Sequence, residues 1–162
     1  MNFHNKLNRI LEIALIAIMS ILVIDVLWQV TSRYVLSSPS SFTDELAGFL
    51  LIWVGLLGAA YVAGRNEHLA IDLLLQKTRV SRKRNLMIFI QICILIFALT
   101  AMVIGGSWLV YTRFVLEVKS AALELPLGYV YIVLPLSGLL IVYYSLRSII
   151  LLVKDKNINI SE

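Results

Sequence analysis

Asp25 and Gln29 lie inside an apolar run and Arg33 just beyond it, each four residues from the last, so on a helix they form one polar stripe climbing toward its end. A carboxylate in such a place has two uses. It can take up an ion or a proton, or it can make a polar contact to a neighbouring helix. One carboxylate is a poor cation cage, because hard cations want several oxygens. An ionised Asp in hydrocarbon also costs at least about 2.5–3.5 kcal/mol. Asp25 is therefore expected to face protein or water, with Gln29 or Arg33 in reach, and the helix contact is the favoured use. Further on, Ser41 and Asp44 have capping-box spacing, and Asp44 and Glu45 both complement a positive helix N-terminus. Capping needs one of these carboxylates, which leaves the other to pair with Arg33 across a short loop.

Other chemistry is sparse. His68 and Asp72 are four residues apart, half of a metal site, but no third or fourth ligand is near them. No nucleophile accompanies a His and a carboxylate, and no Gly-rich phosphate loop occurs. His4 and His68 fall outside the apolar runs, which excludes paired haem ligation between helices. The single cysteine, Cys93, has no partner for an intramolecular bridge. The expectation is no enzyme, no metal and no cofactor.

The elements that must position these residues belong in a membrane. Of 162 residues, 60% are hydrophobic and 15% charged, and mean hydropathy is +0.89. A soluble domain of this size could not hide so much apolar surface. Four apolar runs, about 10–30, 46–63, 86–111 and 125–146, match the roughly 20 helical residues that cross a bilayer. They are too long and too little alternating to be strands. The reading is an all-α integral membrane protein, one membrane domain over 1–162 with four transmembrane helices. The first run is too long for a secretory signal and lacks a cleavage pattern, so it is expected to remain as an anchor.

Charge sets the orientation. Lys6, Arg9, Arg65, Lys77, Arg79, Arg82, Lys83, Arg84, Arg147, Lys154 and Lys156 fall in the first, third and fifth polar segments; Arg33, Arg113 and Lys119 fall in the other two. Basic loops stay inside, so both termini are expected in the cytoplasm. The net charge of +4 then reflects topology and anionic lipid, not nucleic acid. Over about 65–79, Arg65, His68, Asp72, Gln76 and Arg79 recur at helical spacing among leucines. That predicts an amphipathic helix on the membrane surface between the second and third spans. Arg65, Arg79, Arg82, Lys83 and Arg84 are its expected lipid-headgroup contacts.

Within the spans, Gly55 and Ala59, then Ala59 and Ala63, form small-xxx-small pairs that let helices approach closely. Gly105-Gly106-Ser107 permits a bend or close packing, the fourth span begins after Pro126, and Pro135 predicts a kink at the carbonyl of Tyr131. Trp53 lies mid-span and calls for a packing role. With so little intramembrane polarity, the chain reads as an accessory bundle gripping a larger membrane partner, through Asp25, Gln29, Arg33, Asp44, Glu45, Gly55 and Ala59.

The order Arg33-Tyr34, Thr43-Asp44-Glu45-Leu46, Trp53, Gly58-Ala59-Ala60, Arg65, His68 and Asp72, closed by Leu125-Pro126 and Leu134-Pro135-Leu136, resembles the small membrane subunit of TRAP transporters, the DctQ-like permeases. Phe42 and Asp44 depart from the Trp and Glu usual there. The resemblance implies a tripartite, sodium-gradient-driven uptake system of the bacterial inner membrane for an organic acid, such as a C4-dicarboxylate or sialic acid. It implies two partners, a large multi-helix subunit holding the solute and sodium sites and an extracytoplasmic solute-binding protein, and makes this chain a static scaffold. Two other readings stay open: a self-assembling four-helix proton-coupled exporter using Asp25, and a membrane anchor of a redox enzyme.

Overall fold

The computed structural model describes residues 3–35, 40–65 and 80–154. Among the described residues the regular structure is all helical, and the one strand-like feature is an isolated bridge between Lys119 and Pro126. The surface helix expected at 65–79 lies outside the described residues apart from Arg65, which ends a long helix.

Helix α1 (Phe3–Tyr34) has 32 residues. At about 1.5 Å per residue it is about 48 Å long, well beyond the roughly 30 Å of hydrocarbon, so both ends stand among headgroups. Helix α2 (Ser41–Arg65) follows, with the Thr43 hydroxyl donating to the Ser40 carbonyl at 2.9 Å in its first turn. The third span starts as α3 (Val80–Phe97), widens into a π-helical stretch over Ala98–Gly105, and resumes as α4 (Gly106–Val115). The irregularity expected at Gly105-Gly106 thus falls in the two turns before it. Thr100 turns its hydroxyl back to the Ile96 carbonyl at 2.8 Å there, a contact that competes with regular helix bonding. The fourth span is split into α5 (Leu127–Tyr131) and α6 (Val133–Lys154), with Pro126 at the N-cap. The break is at Ile132, where Pro135 offers no N–H to the Tyr131 carbonyl, as the kink expectation requires. All four spans are long and apolar enough to cross a membrane.

The packing is a row. α1 lies against α2, α2 against α6, and α6 against α3 and the π-helical stretch, while α4 pairs with α5. Among the described residues no backbone approach joins α1 to the third span, or α2 to the third span. The chain order of spans, one to four, becomes one–two–four–three across the slab. The central fourth span has 33% of its apolar window buried, the peripheral first span 11%. The buried cluster of Leu57, Ala60, Ala98, Met102, Val133, Ile141 and Tyr144 runs through the middle of the row. Two glycines set the spacing of the third and fourth spans. A Cβ on Gly138 would stand 2.7 Å from the Met102 Cβ, and one on Gly106 would stand 2.9 Å from Leu134 and 3.1 Å from Pro135. Close backbone approach of this kind is how helices hold together where lipid removes the hydrophobic drive.

Candidate functional site

The end of α1, the start of α2 and the loop that joins spans three and four meet at one end of the slab, and the predicted polar residues gather there. Asp44 lies in the first turn of α2. Its carboxylate accepts a hydrogen bond from the Gln29 amide and stands 3.6 Å from the Arg33 guanidinium. The polar stripe of α1 is thereby clamped to the start of α2, and the expected Arg33 pairing falls to Asp44. Both partners are about half exposed, so the contact aligns helices more than it stabilises them.

Glu45 does something that local sequence could not show. Its two carboxylate oxygens accept the backbone N–H groups of Ala121 at 2.8 Å, Ala122 at 3.0 Å and Leu123 at 3.0 Å. Three converging amides make an anion nest, and the carboxylate satisfies all of them. The loop that offers them is itself closed: Ser120 donates to the Leu125 carbonyl and Leu127 to the Val118 carbonyl, both at 2.9 Å. Glu45 thus ties α2, in the middle of the row, to the far loop. Only chain topology brings these groups together, since Glu45 and Ala121 are 76 residues apart.

Asp25 is 7% exposed, so it faces protein as expected. The expected contact to Gln29 or Arg33 is not made, because both side chains are drawn to Asp44, and Oδ2 of Asp25 has no hydrogen-bond partner. The small residues of α2 divide. Ala60, Ala63 and Gly64 are buried within the chain, whereas Gly55 and Ala59 are exposed and a Cβ on Gly55 would meet nothing within 4 Å. Gly48 shares that open edge.

The remaining predicted residues sit at the opposite end. Arg65 is exposed with its guanidinium 5.2 Å from the Tyr61 ring centre, Arg84 is exposed, and Arg82 and Lys83 fall in the first turns of α3; Arg79 lies outside the described residues. Two polar links at mid-span and at this end were not foreseen. The Trp53 indole N–H donates to the Val130 carbonyl at 3.1 Å, next to the helix break. The Tyr144 hydroxyl donates to the Asn8 side-chain oxygen at 2.6 Å, and Asn8 also meets His4 at 3.3 Å. Gly64 lies under the Tyr144 ring, where a Cβ would come within 2.8 Å. Aromatic residues with a polar handle, placed in apolar helices, were the available signal for both.

Every carboxylate just described, Asp25 aside, is engaged in holding helices and loops together. The arrangement is bracing, with polar groups spent on alignment. Known proteins identify the family. The family described as tripartite ATP-independent periplasmic transporters, DctQ component, matches residues 21–155. A TRAP transporter small permease protein of Haemophilus influenzae is 32% identical over 142 residues, covering 86% of this chain and 83% of its own. The sialic acid TRAP transporter small permease protein SiaQ of Vibrio cholerae is 26% identical over 148 residues, covering 91% and 84%. The sialic acid TRAP transporter permease protein SiaT of Haemophilus influenzae is 34% identical over 102 residues, which are 60% of this chain but only 16% of that much longer protein. A family match that spans residues 21–155, with a relative 32% identical over 86% of the chain, places this chain in the DctQ family, the small permease components of TRAP transporters.

Proposed function

We propose that this chain is the static scaffold of a sodium-gradient-driven uptake system for an organic acid, a C4-dicarboxylate or a sialic acid, and that a large permease subunit carries the solute. The observation that carries the proposal is the row itself. A single layer of helices leaves both broad faces open, and α1 alone shows Ile13, Ile16, Ile24, Leu27 and Trp28 to its surroundings. The open edge of α2, with Gly48, Gly55 and Ala59, is smooth enough for another helix to approach closely. That edge, with the Asp25, Gln29, Arg33, Asp44 and Glu45 group beside it, is the proposed grip on the large subunit. The long relative supports it, since there a segment like this one is part of the same chain as the rest of a permease. The sorting of Lys and Arg supports a topology with both termini in the cytoplasm, in an inner membrane, and the loop end turned toward the solute-binding protein.

The test is co-purification of the tagged chain with its large subunit. Gly55→Leu and Ala59→Leu, alone and together, are expected to reduce recovery of the large subunit while the isolated variants keep wild-type helicity. Unchanged recovery with the double variant places the grip elsewhere. Sodium-driven uptake in vesicles is expected only when the large subunit and the binding protein are both present.

A further inference from the structure

Between the end of α4 and the 116–126 loop there is a cleft of about 340 Å³ lined by Arg113, Phe114, Glu117, Lys119, Pro126 and Tyr129. Its frame is rigid. α4 ends with Glu117 in the left-handed region at φ 48°, its N–H bonded to the Phe114 carbonyl at 3.2 Å and the Val118 N–H bonded to the Arg113 carbonyl at 3.1 Å. That pair of bonds is a Schellman cap. Phe114 and Tyr129 meet edge to face at 5.1 Å, and Gly128 leaves the room that the Phe114 ring occupies. The Arg113 guanidinium is held 5.9 Å from the Tyr131 ring centre, and its Nε is buried with no hydrogen-bond partner. Within the described residues neither Lys119 nor Glu117 has a side-chain hydrogen bond or an ion pair. Two cations and one anion are thus set around an aromatic-walled recess at the end of a membrane span, with no ion pair among them.

Beside it, a groove of about 550 Å³ runs along α4 past Ser107, Trp108 and Tyr111. Ser107, Tyr111 and Phe114 are spaced i, i+4 and i+7, so groove and cleft share one edge of the helix. Trp108 and Tyr111 are 70% and 62% exposed, their tilted rings 6.2 Å apart, and both are residue types of an interfacial belt.

We propose that the cleft binds the headgroup of a zwitterionic aminophospholipid, its phosphate toward Arg113 and Lys119 and its ammonium toward Glu117, with an acyl chain lying in the α4 groove. Charge complementarity selects this occupant. A phosphate matches the guanidinium fork and the nearby ammonium, and a primary ammonium is the group that Glu117 can hold. An anionic headgroup leaves Glu117 opposed by like charge, and so does an acidic protein segment. The groove accounts for a chain that a free phosphate lacks. A lipid held here stiffens the loop that Glu45 grips from the other side, whatever solute the assembled system carries.

Native mass spectrometry of the delipidated full chain in mild detergent tests this, by titration with dioleoyl-phosphatidylethanolamine, -phosphatidylglycerol and -phosphatidylcholine. The ethanolamine lipid is expected to bind most tightly. Arg113→Gln is expected to weaken it by about tenfold or more, on the scale of a lost charge-assisted contact. Glu117→Gln is expected to erase its advantage over the glycerol lipid. Should Arg113→Gln lose helicity, the exposed Lys119→Gln serves in its place. Equal binding of the three lipids by wild type, or unchanged preference in Glu117→Gln, overturns the assignment. Displacement of the lipid by millimolar glycerophosphoethanolamine or inorganic phosphate overturns it in favour of a soluble phosphate compound. Displacement by the solute-binding protein, lost in Arg113→Gln, overturns it in favour of a protein dock.

Discussion

Two adjacent carboxylates, Asp44 and Glu45, point to opposite neighbours and do different work. Asp44 holds α1 through Gln29 and Arg33, and Glu45 holds the 121–123 turn through three amides. Glu45→Ala leaves three N–H groups without their acceptor, two of them on half-buried residues. Amide exchange at Ala121, Ala122 and Leu123 is expected to speed up by about tenfold or more, with the rest of the helices unchanged; Glu45→Gln, which keeps one acceptor oxygen, is expected to fall between. Exchange at these three amides that matches wild type removes Glu45 from its role. The Arg33 pairing could be read from the chain because opposite charges flank one short loop. The Glu45 contact could not, since its partners are backbone groups that carry no residue signature. Glu124 makes a further case. It holds φ at 51°, a region that costs a residue with a Cβ about 1–2 kcal/mol. Glu124→Gly is expected to leave thermal stability unchanged or raised, whereas Glu124→Val lowers it, measured side by side in one detergent.

At the scale of the helix, glycine has two different uses here, and the chain alone does not separate them. Gly138 sits where the third and fourth spans touch, and a Cβ there would meet the Met102 Cβ at 2.7 Å and the Val103 backbone nitrogen at 3.2 Å. Gly55 faces open space. Gly138→Ala is therefore expected to destabilise the isolated chain by about 1–3 kcal/mol, the usual cost of overpacking. Gly55→Ala is expected to be silent in the isolated chain, and a bulkier residue there to matter only when the large subunit is present. Equal effects of the two alanine variants in the isolated chain would falsify the division. The existence of four spans was legible because hydropathy over 20 residues is a strong signal. The break before Pro135 was legible because proline removes a specific bond. The π-helical stretch at Ala98–Gly105 was not, because Thr100 and the paired glycines are compatible with a regular helix as well. Trp53 shows the middle case: a mid-span indole asked for a partner, and only the fold could say that it is the Val130 carbonyl.

At the scale of the whole molecule, four apolar runs leave the arrangement of the helices open, and the structure is an open row, not a closed bundle. The difference follows from what the helices carry. A closed bundle needs each helix to present a wide inward face, but α1 buries little beyond Leu11, Asp25 and Ser32, and its polar link to α6 is the His4, Asn8 and Tyr144 group near its start. The row makes a prediction that a bundle does not. Ile13 in α1 and Cys93 in α3 are both exposed, and each lies nine residues beyond the start of its span, at His4 and Arg84. In a closed bundle of antiparallel neighbours a thiol at position 13 would stand one or two helices from Cys93 at matching depth. In the row, α2 and α6 stand between them. An Ile13→Cys variant of the isolated chain is therefore expected to give no intramolecular crosslink with a short bismaleimide. A Cys93→Ala background carrying Gln29→Cys and Asp44→Cys, whose parent side chains touch, is expected to crosslink readily. Efficient bridging of positions 13 and 93 within one chain would close the slab into a bundle and take away the open faces on which the scaffold role depends.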